Sequence, residues 1–236
     1  MKAMILAAGR GTRMLPLTAN TPKPLLRAGG RALIEHHLLR LAAAGFTRVV
    51  INVSCFADRI VAYLGEGERY QLEIDYSREP EPLETAGAIR HARDKLGDGP
   101  FLLLNGDVYS DYPLERLRHR KLPDFVLAHL VLVDNPRHNP DGDYRVTEAG
   151  VLVSKLAPVA SPAHTFSGIS LIHPALLRRY PCAQEKSPLR DVFSRAIEDG
   201  AISAETYGGE WMDVGTPERL HALRQRLEAR VRGPLE

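Results

Sequence analysis

The chain lacks the features that mark several classes of protein. Only two of its 236 residues are cysteine, Cys55 and Cys182. That is too few for a disulfide framework and favours a reducing cytoplasm. Neither has the His or Asp arrangement of a thiol nucleophile, so both read as packing residues. An excess of one charge is missing too, since 31 basic and 29 acidic residues leave +2. With the signs interspersed, there is no basic stripe for nucleic acid and no patch for a membrane. Long hydrophobic runs are absent. The apolar start of "MKAMILAAGRG" is broken by glycines and Arg10, too early for a signal-peptide core or a membrane span. No internal repeat, low-complexity tract or linker interrupts the rest. A chain that is 44% hydrophobic and 25% charged suits one soluble globular domain.

Apolar periodicity sets the expected architecture. "KAMILAA", "RVVINVS", "LEIDYS" and "FLLLNGD" read as buried strands. Helical patterns separate them: "ALIEHHLLRLAAAG", with Leu33, Ile34, Leu38, Leu41 and Ala42 on one face, then "DRIVAYLGEG" and "TAGAIRHARDKLG". Strands alternating with helices predict a doubly wound α/β sheet. Beyond Asp111, "FVLAHLVLV" predicts a strand. "GDYRV" and "GVLVSKL" predict a hairpin, and "FSGISLI" and "ISAETY" two more strands. "PLRDVFSRAIEDG" is helical. A last helix starts at Thr216 as N-cap, with Pro217 and Glu218 in its first turn, and runs to about Arg230. One domain over residues 1–230, with a frayed tail at 231–236, is the expected organisation.

The stretch "LAAGRGTRMLPLTANTPKPLL", Leu6 to Leu26, follows the first strand with glycines, bases, hydroxyls and prolines. Exposed backbone N–H groups beside glycine can wrap an anion. A dinucleotide fingerprint fails, because Met14 stands where its third glycine belongs. A P-loop fails for want of G-K-[ST] after the loop. Pro16, Pro22 and Pro24 prevent a helix from starting at once. The loop is therefore expected to stay extended over a ligand, with Arg10, Arg13 and Lys23 offering positive charge. A triphosphate fits. A plain turn with a solvated basic rim is the alternative, and it weakens because two prolines restrict the backbone around Lys23.

These residues resemble the pattern of sugar-1-phosphate nucleotidyltransferases, LAxGxGxRxxPxT…xPKPxxP. "EPLETAG", "FLLLNGD", "FSGISLI" and "WMDVGTPERL" resemble further marks of that family in order. Arg27-Ala28-Gly29-Gly30 departs mildly from the pattern. The resemblance implies a Rossmann-like, glycosyltransferase-A-like mixed sheet in a single domain. It implies that Leu6, Ala8, Gly9, Gly11, Thr12 and Arg13 hold the nucleotide, and that Lys23 stands beside the reacting phosphates with Arg13 as a catalytic partner. It also implies Mg²⁺ held by Asp107 and Asp213. Taken alone, each aspartate reads more often as a turn former or a helix cap; two at strand ends, each in its family motif, favour the metal.

Glu79, Glu84 and Gly87, in "SREPEPLETAGAI", are where the resemblance places base recognition, with uracil favoured. As single residues, the two glutamates read equally as solvated loop carboxylates. Sugar contacts are expected from Asn105, Gly142, Arg145, Ser167 and Gly168. "LVLVDNPRHNPDGDYRV" resembles the branch that transfers a uridylyl group from UTP to N-acetylmuramate 1-phosphate, an activity of peptidoglycan recycling. Hexose enzymes carry a Glu-Lys-Pro segment where this chain has "SKLAP", Ser154 to Pro158, which argues against a generic hexose enzyme. The nine histidines show no metal spacing and read as surface or packing residues. No hexapeptide repeat follows the last motif, so acyltransferase activity is not expected. Three alternatives stay open: a mannose- or glucose-1-phosphate guanylyl- or uridylyltransferase, a cytidylyltransferase for an alcohol phosphate, and an inactive regulatory subunit. The sequence leaves the oligomeric state undetermined.

Overall fold

The computed structural model describes residues 1–232. Alternation of side chains along the strands dictates its plan. In chain order the elements are β1 (Lys2–Leu6), β2 (Arg27–Ala28), β3 (Arg31–Ala32), α1 (Leu33–Ala43), β4 (Arg48–Val53), α2 (Ala57–Leu64) and β5 (Glu73–Arg78). Next come α3 (Glu84–His91), α4 (Arg93–Leu96), β6 (Phe101–Asn105), β7 (Val108–Ser110), α5 (Glu115–His119) and β8 (Ala128–Val133). The remainder are β9 (Tyr144–Val146), β10 (Leu152–Ser154), β11 (Thr165–Ile172), α6 (Ala175–Arg179), α7 (Leu189–Glu198), β12 (Ile202–Tyr207), β13 (Trp211–Asp213) and α8 (Pro217–Arg232).

Seven strands form one sheet in the order β12-β8-β11-β6-β1-β4-β5. Only β11 runs against the others. Neighbouring residues on each central strand go to opposite faces. Ala3, Ile5, Leu102 and Leu104 enter one core with Ile34, Leu38 and Leu41 of α1 and Ile60 of α2. Met4, Phe101 and Leu103 enter the other with Ile89 of α3 and Val192 and Phe193 of α7. Both faces are therefore apolar, as the continuous hydrophobic strands predict. Each fully buried side chain of this kind contributes about 1.5–3 kcal/mol.

A third, smaller cluster matters most for function. Met14 from the glycine loop, Leu26 and Leu33 pack against Val214 and against Leu220 and Leu223 of α8. This apolar contact holds the N-terminal loop against the C-terminal motif. The short ladder β7–β13 completes the join, pairing Val108 with Asp213.

The expected mixed, doubly wound, single-domain fold is the observed one. Four details differ. The glycine loop is not simply extended, because Thr12–Met14 and Lys23–Leu25 each wind into one 3₁₀ turn. The helix expected across "TAGAIRHARDKLG" divides at Ala92 into α3 and α4. β11 is bulged between Phe166 and Ser170, where Gly168 takes φ 78°. The last helix continues to Arg232, and residues 233–236 of the expected tail lie outside the described residues.

Candidate active site

The carboxyl ends of β1, β4 and β6 bring Leu6, Asn52 and Asn105 side by side. A cleft of about 560 Å³ opens over them. Sheets of this kind collect ligands at that edge. Gly106 closes the floor, since a Cβ there would meet Leu6 O at 2.3 Å. Its N–H donates to the same oxygen at 3.0 Å.

The glycine loop forms one wall. Gly11 takes φ 65°, and the Thr18 hydroxyl donates to its carbonyl at 2.8 Å. Gly9, Arg10, Thr12 and Arg13 face the cleft and are exposed, while Leu6 and Ala8 line its base. Among the described residues, neither Arg10 nor Arg13 has a carboxylate within ion-pair distance. The wall thus offers backbone N–H groups and uncommitted guanidinium charge, the two components of a phosphate site.

Lys23 approaches from the second 3₁₀ turn and donates to Asp107 Oδ2 at 2.6 Å. Its side chain is only 13% exposed, so burial directs the ammonium into the cleft. Asp107 follows the end of β6. The Val214 N–H donates to the Asp107 carbonyl at 2.7 Å, next to the Val108–Asp213 pair. The two aspartates expected to act together are therefore carried on adjoining backbone. Arg219 Nη1 donates to Asp213 at 2.6 Å, and His138 Nε2 lies 3.0 Å from it. Gly215 leaves the space Arg219 occupies, since a Cβ there would lie 2.4 Å from Arg219 Nη2.

His138 has a defined place that spacing along the chain did not show. Within "DNPRHNPDGD" the Asn135 amide donates to the Pro140 and Ala163 carbonyls, at 3.1 and 3.0 Å. The Asn139 amide donates to Asp143 and Thr165, and Asp143 accepts from the Phe166 N–H at 2.9 Å. These side chains fold the loop against β11 and carry His138 to Asp213. The signal available in the sequence was the density of Asn, Pro and Asp, residues that build such turns.

At the far end, Glu79 and Glu84 differ sharply. Glu79 is 5% exposed and has both oxygens engaged. It accepts from the Asn52 amide at 2.8 Å and from the Leu83 N–H at 3.0 Å, while Asn52 accepts from the Ala7 N–H at 2.8 Å. It lines the cleft and at the same time ties β1, β4 and the loop before α3 together. Glu84 is exposed, lines the cleft and adopts φ 62°. That conformation is strained for a residue with a Cβ, and such strain concentrates at functional sites. Gly87 gives room for this chain's own backbone. A Cβ at 87 would lie 2.4 Å from Glu185 O. Lys186, which sequence reasoning did not select, lines the cleft opposite Glu84 and is exposed.

The expected sugar residues separate in the same way. Asn105 lines the cleft, and Gly168 packs directly over its amide, where a Cβ would lie 2.7 Å from Nδ2. Ser167 is buried. Its hydroxyl accepts from the Ile169 N–H at 3.1 Å, and its carbonyl accepts from the Trp211 indole at 2.8 Å. Gly142 is enclosed by Asn135, Ala163 and His164, and its carbonyl accepts from Lys155 Nζ at 3.2 Å. Arg145 donates to the carbonyls of Lys155, Val159 and Ser161 at 2.8–2.9 Å. Through Nε and Nη1 it clamps the segment from Lys155 to Ser161 against β9.

Among the described residues, no group of three or more His, Cys, Asp or Glu is placed to hold a metal ion. Among those residues, no helix is long and apolar enough to cross a membrane. The family model described as Nucleotidyl transferase matches residues 2–142. The chain is 43% identical over 225 residues to an N-acetylmuramate alpha-1-phosphate uridylyltransferase of Neisseria meningitidis serogroup B, covering 93% of this chain and 95% of that protein. It is 37% identical over 229 residues to a mannose-1-phosphate guanyltransferase of Aspergillus fumigatus, covering 92% of this chain but only 61% of the fungal protein. Among solved structures, HddC from Yersinia pseudotuberculosis matches with a TM-score of 0.78 at 22% identity, over 95% of this chain and 98% of that one, a likeness of fold. With its phosphate-type loop facing a lysine–aspartate pair, and relatives of this identity spanning nearly its whole length, the chain belongs to the sugar-1-phosphate nucleotidyltransferases.

Proposed function

We propose that the protein transfers a uridylyl group from UTP to N-acetylmuramate 1-phosphate, releasing pyrophosphate. The observation supporting this most strongly is 43% identity, over 93% of the chain, to a protein bearing that activity in its name. A phosphate oxygen of the sugar phosphate attacks the α-phosphorus of UTP. The new P–O bond forms as the bond to the bridging oxygen breaks, and that oxygen leaves with pyrophosphate. No proton transfer and no covalent enzyme intermediate are needed, so catalysis is positioning plus charge stabilisation.

Gly9, Gly11 and Thr12 hold the triphosphate through backbone N–H groups, and Arg10 and Arg13 neutralise it. Lys23 exchanges its bond to Asp107 for a phosphate oxygen as charge develops. Glu84 and Lys186, at the opposite end of the cleft, are placed for the uracil. Asn105, beneath Gly168, meets the sugar phosphate. Asp107, which lines the cleft, and Asp213, on adjoining backbone and bonded to Arg219, are the residues that would hold Mg²⁺, an ion that takes one or two carboxylates together with substrate phosphates. When bound, the ion supplies charge neutralisation to the triphosphate.

A mannose-1-phosphate guanylyltransferase is the second reading, motivated by 37% identity to the fungal enzyme. A pyrophosphate-release screen of UTP, GTP, CTP and dTTP against N-acetylmuramate, N-acetylglucosamine and mannose 1-phosphates separates the two. The proposal expects the UTP and N-acetylmuramate pair to dominate. Dominance of GTP with mannose 1-phosphate overturns it.

A further inference from the structure

A second cavity, of about 190 Å³, lies at the other end of β6 from the cleft and shares no residue with it. Its wall is apolar, built from Ile89, Leu96, Phe101 and Leu177. Three guanidinium groups, those of Arg90, Arg93 and Arg178, stand around it. Arg178 has an ion-pair partner in Asp98 at 3.8 Å, itself 92% exposed. Among the described residues, Arg90 and Arg93 have neither an ion pair nor a side-chain hydrogen bond. All three arginines are exposed, and Arg90 and Arg93 are free to turn towards an anion at the mouth of the apolar hole. Arginine forks bind oxyanions bidentately, and their planes also accept a flat ring. A sugar would waste its hydroxyls on this wall. The volume lies below the range for drug-sized ligands, which limits the apolar body to about one or two rings.

Two pieces of chain link this cavity to the cleft. Helix α3 begins with Glu84 and Thr85 in the cleft and ends with Ile89 and Arg90 in the cavity. The segment before α7 places Pro181 and Cys182 in the cavity and Lys186 in the cleft. They are tied together midway. The Ala86 and Gly87 N–H groups donate to Ser187 O at 2.9 and 3.2 Å, and the Ser187 N–H donates to Leu83 O at 3.1 Å. Glu185 O fits against α3 only because residue 87 lacks a Cβ. The two pieces thus form a continuous, mutually bonded connection from the cavity to Glu84 and Lys186.

We infer that this cavity is a regulatory site for a small organic anion, an oxyanion head on an apolar ring-sized body, and that its occupancy is coupled to the cleft. The coupling half rests on the reading of the cleft as a nucleotide site; the binding half does not.

Cys182 reports on the cavity directly. In a Cys55→Ser background, its modification by neutral 4,4′-dithiodipyridine is followed with and without naphthalene-1-sulfonate. The sulfonate is expected to protect the thiol saturably, and neutral naphthalene-1-sulfonamide is not. Removing the guanidiniums in Arg90→Ala/Arg93→Ala should raise the half-protecting concentration about tenfold or more. Saturating UTP should shift that concentration about fivefold or more in the intact protein. Absent protection, or equal protection by the sulfonamide or in the arginine variant, overturns the anion site. Protection that instead rises with protein concentration, with a doubled mass in light scattering, assigns the cavity to a second copy and overturns it as well. If calorimetry shows UTP bound and the sulfonate affinity does not move, the coupling is refuted. If UTP does not bind, the uridylyl reading fails, and the coupling is then read with whichever nucleoside triphosphate does.

Discussion

Lys23 Nζ stands 2.6 Å from Asp107 Oδ2, joining residues 84 positions apart across the mouth of the cleft. The pair links the phosphate wall to the end of β6. In the proposed reaction a phosphate oxygen takes the place of Asp107 as the partner of the ammonium. Removing it in Lys23→Ala should lower kcat and kcat/KM together, by about 100-fold or more, because the charge acts where negative charge develops. The pair is partly solvated, so stability should change by about 1 kcal/mol or less. Steady-state rates with a thermal melt check both parts. Near-normal turnover would remove Lys23 from the mechanism.

Asp107 and Asp213 lie on adjoining backbone, through the Val214–Asp107 hydrogen bond and the β7–β13 ladder. Asp107→Asn and Asp213→Asn should each raise the magnesium concentration needed for half-maximal rate and depress the rate at saturation. If they serve one ion, the double variant should be scarcely worse than the poorer single variant, since groups acting as a unit are non-additive. Multiplicative losses in a magnesium titration would show two independent roles.

Arg145 spends its guanidinium on three carbonyls of the 155–161 segment. Arg145→Ala should therefore cost about 2 kcal/mol or more of stability, as hydrogen bonds to a charged group are lost together. UTP affinity, measured without sugar phosphate, should be unchanged. A fully stable variant that no longer distinguishes N-acetylmuramate from N-acetylglucosamine phosphate would contradict the clamp.

His37 lies on the buried face of α1, and burial first, then the neighbouring Arg40 and His36, push its pKa down to about 4. The unfolded chain takes up the proton near pH 6.5 and the folded one does not. Stability from neutral His37 is thus complete above about pH 6.5 and is lost as the pH falls towards 4. A shift of this size corresponds to about 3 kcal/mol. Urea unfolding of the native protein and His37→Leu across this range should show a flatter acid limb in the variant. Parallel limbs would assign the pH dependence elsewhere.

Much of this was legible in the sequence, because strong periodic signals and tertiary packing agree. The apolar runs of β1, β4 and β6 could face only two buried cores, and Thr216 caps α8, its hydroxyl 3.4 Å from the Arg219 N–H. The glycine loop and Lys23 were legible because prolines and glycines restrict the backbone locally. What could not be read depends on partners distant along the chain. The bonds that Asn52 and Leu83 make to Glu79 left no trace in the sequence. Nor did the approach of the Glu185 carbonyl to Gly87. His138 gave no spacing signal, because its partner Asp213 lies 75 residues away on another element.

The choice of sugar is decided by kcat/KM, with UTP and magnesium, for N-acetylmuramate 1-phosphate against N-acetylglucosamine 1-phosphate. The two differ only by the lactyl ether. A site built to meet the lactyl carboxylate leaves polar groups unpaired when it is missing, and such losses reach factors of about 10⁴. The account predicts a clear preference, of about 100-fold or more, for the lactyl sugar. Equal values for the two would contradict it and move the protein to the general hexosamine or hexose enzymes of its family.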